Sequence, residues 1–336
     1  MNRKMFSLLV SFVMFSLVFF CTAHADAASV IKLGHDSAPG SSRDLGAQKF
    51  KEIVEAGSKG DITVEIYPSS QLGAGSNLIQ GMQMGSVEMG ILPSSYLGGL
   101  QALTTIMDIP FLFPDDYHKL MAVEAGPAGA ALKALTEKAG IKTLDIWHTG
   151  YKTFTASKPL NSPADFKGLK FRVMPSPIQA AQYETVGAAG VNMAFSEAYT
   201  ALQNGALDGQ ENPLDTTYDM KFHEVQKYVT ISRHAVLDQF IMAGKKWYDS
   251  LDEPTKQLLM EGVAAGRGVA LQNTLRSEKI ALEAFKNAGV TIKELTPEER
   301  VVWAKAFAPV REVYVKRYGK DAQTMLDLFE KEIAKE

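Results

Sequence analysis

The 336-residue sequence holds one cysteine, Cys21, and six histidines scattered singly. Cys21 lies within the first 25 residues, so a chain that loses that segment has no thiol nucleophile, no disulfide and no cysteine metal site. No two histidines stand at ligand spacing, and His223-Glu224 lacks the second histidine of H-E-x-x-H. G-x-S-x-G and G-x-x-x-x-G-K are absent, and Gly266-x-Gly268 has no strand before it, which removes the hydrolase elbow, the phosphate loop and the dinucleotide fingerprint. No cofactor and no metal are therefore expected. Excess positive charge is missing as well: 35 Lys+Arg against 38 Asp+Glu gives −3, a poor basis for binding nucleic acid or anionic lipid.

Only one long apolar run is present. Arg3 and Lys4 precede it, it extends from Met5 to Cys21, and Ala23-His24-Ala25 follows as an A-x-A cleavage site. The pattern is that of a secretory signal peptide cut after Ala25. About 17 apolar residues nearly reach the length of a retained anchor, but the basic start and the A-x-A site favour cleavage. Phe20 stands where lipid-modified cysteines usually follow a small residue, which argues against lipidation of Cys21. Removing residues 1–25 takes away two basic residues and no acid, leaving 33 against 38, or −5.

What remains is long enough for two domains of ordinary size. SVIKLG (29–34) reads as a strand. Residues 42–56, with Leu45, Phe50, Ile53 and Val54 on one face, read as an amphipathic helix. DITVEIYP (61–68) alternates strictly, and a helix over Ser76–Met84 leads into another strand. This β-α-β-α-β order implies an α/β fold with a largely parallel sheet. MQMGSVEMG (82–90) and LQNGALDG (202–209) echo one another, each with a glycine suited to a left-handed helix cap before a buried strand, as two halves of similar plan would produce. The character changes over 147–165. VQKYVTIS (225–232) and AVLDQFIMAG (235–244) read as two further strands. Glu253–Ala288 would form a helix about 50 Å long if continuous, although Gly262, Gly266 and Gly268 weaken the case for continuity. Thr296-Pro297-Glu298-Glu299 matches a capping box that opens a last helical region.

Polar residues collect at strand ends. In GLKFRVMPSP (168–177), Leu169, Phe171 and Val173 alternate with Lys170 and Arg172, and Pro175 and Pro177 end the run. Gln210-Glu211-Asn212-Pro213 follows the second glycine echo in the same way. Ligands of open α/β sheets bind beside the carboxyl ends of strands. Arg172 is thus either a ligand contact or half of a structural ion pair, and Asn212 either a contact or a turn-stabilising amide.

FKGLKFRVMPSP, MAFSEAYTALQNGALDGQENP (193–213), FHEVQKYV (222–229) and YPSSQLG (67–73) together resemble the solute-binding proteins of tripartite ATP-independent periplasmic (TRAP) transporters, which include C4-dicarboxylate and sialic acid binders. The similarity runs from about Ile31 to the C-terminal helices. It implies a two-lobed α/β periplasmic binding protein fold with crossing strands and a long interdomain helix, closing on a ligand. It divides the chain into signal peptide 1–25, a first lobe of 26–149 and 238–277, and a second lobe of 150–237 and 278–336 that carries the C-terminal helices. It implies a periplasmic monomer, without enzymatic activity, that hands a small organic acid to TRAP membrane subunits. That acid would be a C4-dicarboxylate or sugar acid, or alternatively a monocarboxylate such as a 2-oxo acid or amino acid derivative. A ligand-sensing subunit of a membrane receptor would share the site and differ only in partner.

The family's carboxylate-pairing arginine matches Arg172, its ligand-contacting asparagine Asn212, and its cleft aromatic Phe195. His234 falls where relatives often carry a histidine near that arginine. Many members have a second arginine where this chain reads Gly150-Tyr151-Lys152, so Lys152 is expected either to meet a ligand group or to have no contact with it. His35, Asp36, Ser42 and Ser94 fall where first-lobe contacts cluster.

Overall fold

A computed structural model describes residues 29–336; the signal peptide expected over 1–25 lies outside the described residues. The elements β1 (Ser29–His35), α1 (Ser42–Gly57), β2 (Ile62–Tyr67), α2 (Ser76–Met84) and β3 (Met89–Pro93) follow the expected order, with β1 parallel to both β2 and β3. Helices α3 (Tyr117–Ala125) and α4 (Pro127–Glu137) lead to β4 (Ile141–Ala156). The plan then repeats in β5 (Lys170–Val173), α5 (Pro177–Thr185), β6 (Ala189–Asn192), α6 (Ala198–Gln203) and β7 (Gly209–Asn212), with β5 parallel to β6 and β7. Gly85 (φ 78°) and Gly205 (φ 74°) are both left-handed, so the sequence echo marks equivalent turns in the two halves. After α7 (Leu214–Asp219) and α8 (Phe222–Val225) come β8 (Tyr228–Gly244), α9 (Lys245–Ser250), α10 (Glu253–Asn287) and β9 (Thr291–Glu294). Helices α11 (Pro297–Phe307), α12 (Pro309–Tyr318) and α13 (Lys320–Ile333) complete the chain. The capping box at α11 forms, Thr296 and Glu299 satisfying each other's backbone N–H.

The strands make one sheet in the order β2-β1-β3-β8-β4-β7-β5-β6, with β9 beside β8. β4 has 16 residues and β8 has 17, where strands of about 5–6 are usual. They run antiparallel from Ile141 opposite Gly244 to Ala156 opposite Tyr228, so each serves both halves of the molecule. The two strands read from 225–232 and 235–244 are therefore one. What looked like a gap is Arg233, whose left-handed φ of 43° bends the strand without ending it. In β4 the register shifts between His148 and Tyr151, around Gly150. Gly150 has φ 104°, and a Cβ there would come within 2.8 Å of Pro213, so only glycine fits.

Helix α10 is continuous and lies across both halves. Leu259 and Val263 join the first-half core with Phe50, Val64 and Trp147, while Ala281 and Phe285 join Leu214 and Ile231 of the second. Its glycines are contacts, not breaks: a Cβ on Gly266 would sit 2.7 Å from the Gly46 carbonyl oxygen, so α1 and α10 touch backbone to backbone. The C-terminal helices do not all follow the expected grouping of 278–336 with the second lobe. Trp303 and Phe307 of α11 pack with Phe154, Phe166 and Phe171, but Tyr314 of α12 and Phe329 of α13 complete the core around Leu78, Leu120 and Leu132 of the first half. Their apolar faces match the side of the first sheet half left open by α1 and α10. No described helix is long and apolar enough to cross a membrane.

Candidate functional site

The carboxyl ends of two pairs of parallel strands, one pair from each half, converge between the halves. Asp36 follows β1, Tyr96 lies just after β3, Arg172 is the penultimate residue of β5 and Asn212 ends β7; all four line one cavity with Arg43 and Phe195. A second cavity shares Arg43 and Phe195 and is otherwise lined by Ser37, Ser42, Thr149, Asp215 and Asp219, among others. Each is narrow, about 10 Å³, room for roughly one water.

Arg172 is 4% exposed. Its Nε donates to the Met193 carbonyl at 3.0 Å, its Nη2 donates to the Tyr96 hydroxyl at 3.3 Å, and its guanidinium lies 5.3 Å from the Phe195 ring centroid. It has no carboxylate partner among the described residues, whereas the equally buried Arg43 holds Asp36 at 2.5 Å. Arg172 is thus aimed and backed by neutral groups, with its charge uncompensated. Asn212 donates its amide to the Gln210 side chain at 2.5 Å. Tyr96 belongs to the first half and Arg172 to the second, so their hydrogen bond spans the cleft. Burial raises the Tyr96 hydroxyl's pKa, partly opposed by Arg172, and keeps it a neutral hydroxyl. Ser42 makes a second bridge, donating to Asp215 at 3.0 Å while accepting from Asn273 of α10 at 3.2 Å.

Lys152, for which a ligand contact or none was expected, and His234 and Ser94 do not line these two cavities. Lys152 is 1% exposed and donates to Glu211 at 3.0 Å, with Asp108 at 3.7 Å. Glu211 also accepts from Tyr183 at 2.8 Å, from Gln182 and from His234 Nε2 at 3.1 Å, while His234 Nδ1 faces the Ser232 hydroxyl at 2.7 Å. Burial opposes charge on Glu211, but the Lys152 ammonium and the His234 hydrogen bond outweigh it and hold the carboxyl well below the ordinary range. Burial lowers the His234 pKa despite Glu211, so His234 is a neutral ring donating from Nε2, stacked on Phe154 at 3.9 Å. Strand alternation accounts for this: Glu211 and Asn212 are adjacent in β7 and face opposite ways, so Lys152 at Glu211 and Asn212 at the cavity lie on opposite sides of the strand. Ser94 lines neither cavity; its carbonyl accepts from Thr104, while its neighbours Pro93 and Tyr96 face the cleft. His35 is held by Asp44 at 3.2 Å.

On the reverse face of the crossing strands, His148 Nδ1 meets Asp238 at 2.7 Å, and Glu124 of α3 packs against the same Asp238. One oxygen of each carboxyl, Glu124 Oε1 and Asp238 Oδ2, has no other partner. Burial first, and the Asp238 charge second, hold the Glu124 carboxyl well above its ordinary range.

Sequence reasoning missed Arg43, Tyr96, Asp215 and Asp219. Arg43 left one signal: it places a cation in the first turn of a helix, where the dipole disfavours it, directly after two serines. Tyr96 left none.

The family model for bacterial extracellular solute-binding protein, family 7, matches residues 33–317. The chain is 35% identical over 324 residues to the C4-dicarboxylate-binding periplasmic protein DctP of Rhodobacter capsulatus, covering 96% of each. It is 30% identical over 301 residues to the 2,3-diketo-L-gulonate-binding periplasmic protein YiaO of Escherichia coli K12, covering 89% of this chain and 91% of that one. A TRAP periplasmic solute-binding protein of Desulfovibrio salexigens, solved with bound orotic acid, superimposes with a TM-score of 0.88 at 35% identity, over 91% of this chain and 99% of that one. With its parallel strands ending on one interlobe cleft and its length matched almost throughout, the chain belongs to the bacterial extracellular solute-binding protein family 7.

Proposed function

We propose that this protein captures an organic acid in the periplasm, holds its carboxylate on Arg172 in the cleft between two lobes divided near 149/150 and 237/238, and delivers it to a TRAP membrane transporter. The observation that carries this is the buried Arg172 guanidinium with no carboxylate partner among the described residues. A carboxylate supplies the missing charge through two parallel hydrogen bonds, and Phe195 covers the ligand's carbon face. Closure removes water and strengthens the pair. The binding activities of the relatives, for C4-dicarboxylates and for a sugar acid, fit the same chemistry.

A thermal-shift screen of carboxylic acids tests this, since a ligand at about 100 times its Kd adds roughly 2.7 kcal/mol of stability. Arg172→Ala should then weaken the selected acid about 150-fold to several-thousand-fold in calorimetric titration, and Arg172→Lys should recover only part. A folded Arg172→Ala protein that binds within about threefold of the parent, well short of that range, overturns the assignment.

A further inference from the structure

We propose that the cleft is polarised, taking a carboxylate at Arg172 and hydroxyl groups at Asp219 and Ser37, so that its ligand is a hydroxylated monocarboxylate and a second carboxylate is turned away. This rests on the carboxylate–arginine reading and names the ligand class of the same site.

The two adjoining cavities differ in what they offer. The first presents the uncompensated Arg172; the Asp36 carboxylate in it is already taken by Arg43. The second presents Asp215, Asp219 and serine and threonine hydroxyls. Arg43 and Phe195 line both, so a ligand anchored at Arg172 extends into the second past the Phe195 ring. There Ser37 is 4% exposed, and its Oγ has no hydrogen-bond partner, a buried hydroxyl facing the cavity unsatisfied.

Asp219 is placed against the preferences of its own helix. It ends α7, where the dipole disfavours an anion, and stands four residues after Asp215, a like-charge spacing that destabilises helices. It has no ion-pair partner among the described residues. Burial and Asp215 push its carboxyl up to about 6, with Arg43 pulling the other way, so at neutral pH most of it is ionised. An acceptor-only carboxylate beside a free hydroxyl complements a ligand hydroxyl, which donates to one and accepts from the other. Besides the hydroxyls, a second ligand carboxylate finds there only the Arg43 guanidinium, whose charge Asp36 already offsets, and it meets two acids in a narrow space.

Calorimetric titration of the mature protein at pH 8 should compare hydroxylated monocarboxylates of four to six carbons, gluconate and threonate among them, with succinate and glutarate. A hydroxylated monocarboxylate should bind at least about 100-fold tighter than either diacid. Asp219→Asn, with Asp219→Ser as a second variant should the first misfold, should narrow that ratio about tenfold or more by strengthening diacid binding. A panel in which diacids bind as well as hydroxylated acids, or in which no hydroxylated acid binds, overturns the proposal; so does a ratio unchanged in the folded Asp219 variants. Arg172→Ala separates the two claims. If it abolishes binding of every acid while the ratio is flat, only the polarity falls; if it is without effect, the carboxylate–arginine reading falls and takes this one with it.

Discussion

Arg172 and Lys152 are both buried cations in one sheet, separated by β7, and they are held in opposite ways. Lys152 faces Glu211 and Asp108, and a tyrosine, a glutamine and a histidine complete the shell around Glu211. Arg172 faces a carbonyl, a hydroxyl and a ring, and its charge is left over. A compensated charge belongs to the fold; an uncompensated one, held this firmly, is available to something that arrives later. The difference is in the partner, since burial is nearly the same at 1% and 4%.

Truncating both cations gives the largest separation. Lys152→Ala leaves Glu211 buried beside a neutral histidine and should lower unfolding free energy by about 3–5 kcal/mol in urea. Arg172→Ala should leave stability within about 1 kcal/mol of the parent, because no buried carboxylate loses its partner. Equal losses of stability in the two variants would erase the distinction.

The carboxylates sharpen the comparison through pH. Glu211 is held low by its cation, so its stabilisation is complete above the ordinary glutamate pKa of 4.5 and is lost as pH falls below that value. Glu124, set against another acid, is held high, so the folded state keeps a proton that the unfolded chain releases, and stability falls as pH rises from 4.5 towards the raised value. Glu124→Gln retains the neutral form. It should raise stability at pH 8 by more than about 1 kcal/mol and flatten that decline; denaturant unfolding between pH 5 and 8 measures it, and an unaltered slope would count against a protonated Glu124.

The smallest effect concerns the Tyr96 bridge. Tyr96→Phe removes the hydroxyl that accepts from the Arg172 guanidinium across the cleft at a long 3.3 Å, so affinity for the selected acid should fall about two- to tenfold, with stability unchanged. A loss as large as that of Arg172→Ala would make the tyrosine a principal ligand contact.

Much of the scaffold was legible because it is local. Strand alternation, the capping box at Thr296 and the glycine echo at Gly85 and Gly205 each depend on residues a few positions apart. Arg172 was legible as a strand-end cation. Its difference from Lys152 was not, because the partner that satisfies Lys152 lies 59 residues away on another strand, and nothing in Gly150-Tyr151-Lys152 shows which face meets Glu211. The continuity of β8 was hidden by Ser232-Arg233-His234, a polar interruption that reads as a loop and is a bend. Asp219 was hidden because an acid at the end of a short helix resembles any surface charge until the cavity beside it is known.

The first lobe is finished by the end of the chain. β3 finds its second neighbour only when Gln239–Ala243 of β8 arrives, and the apolar surface around Leu120 and Leu132 is covered by Tyr314 and Phe329. No amino-terminal fragment can therefore bury its own core, and the contacts that lock it join residues far apart in sequence, the kind that form slowly. A chain threaded through a membrane from its amino terminus stays uncommitted until its last helix emerges, and by then both walls of the cleft are present to fold around it together.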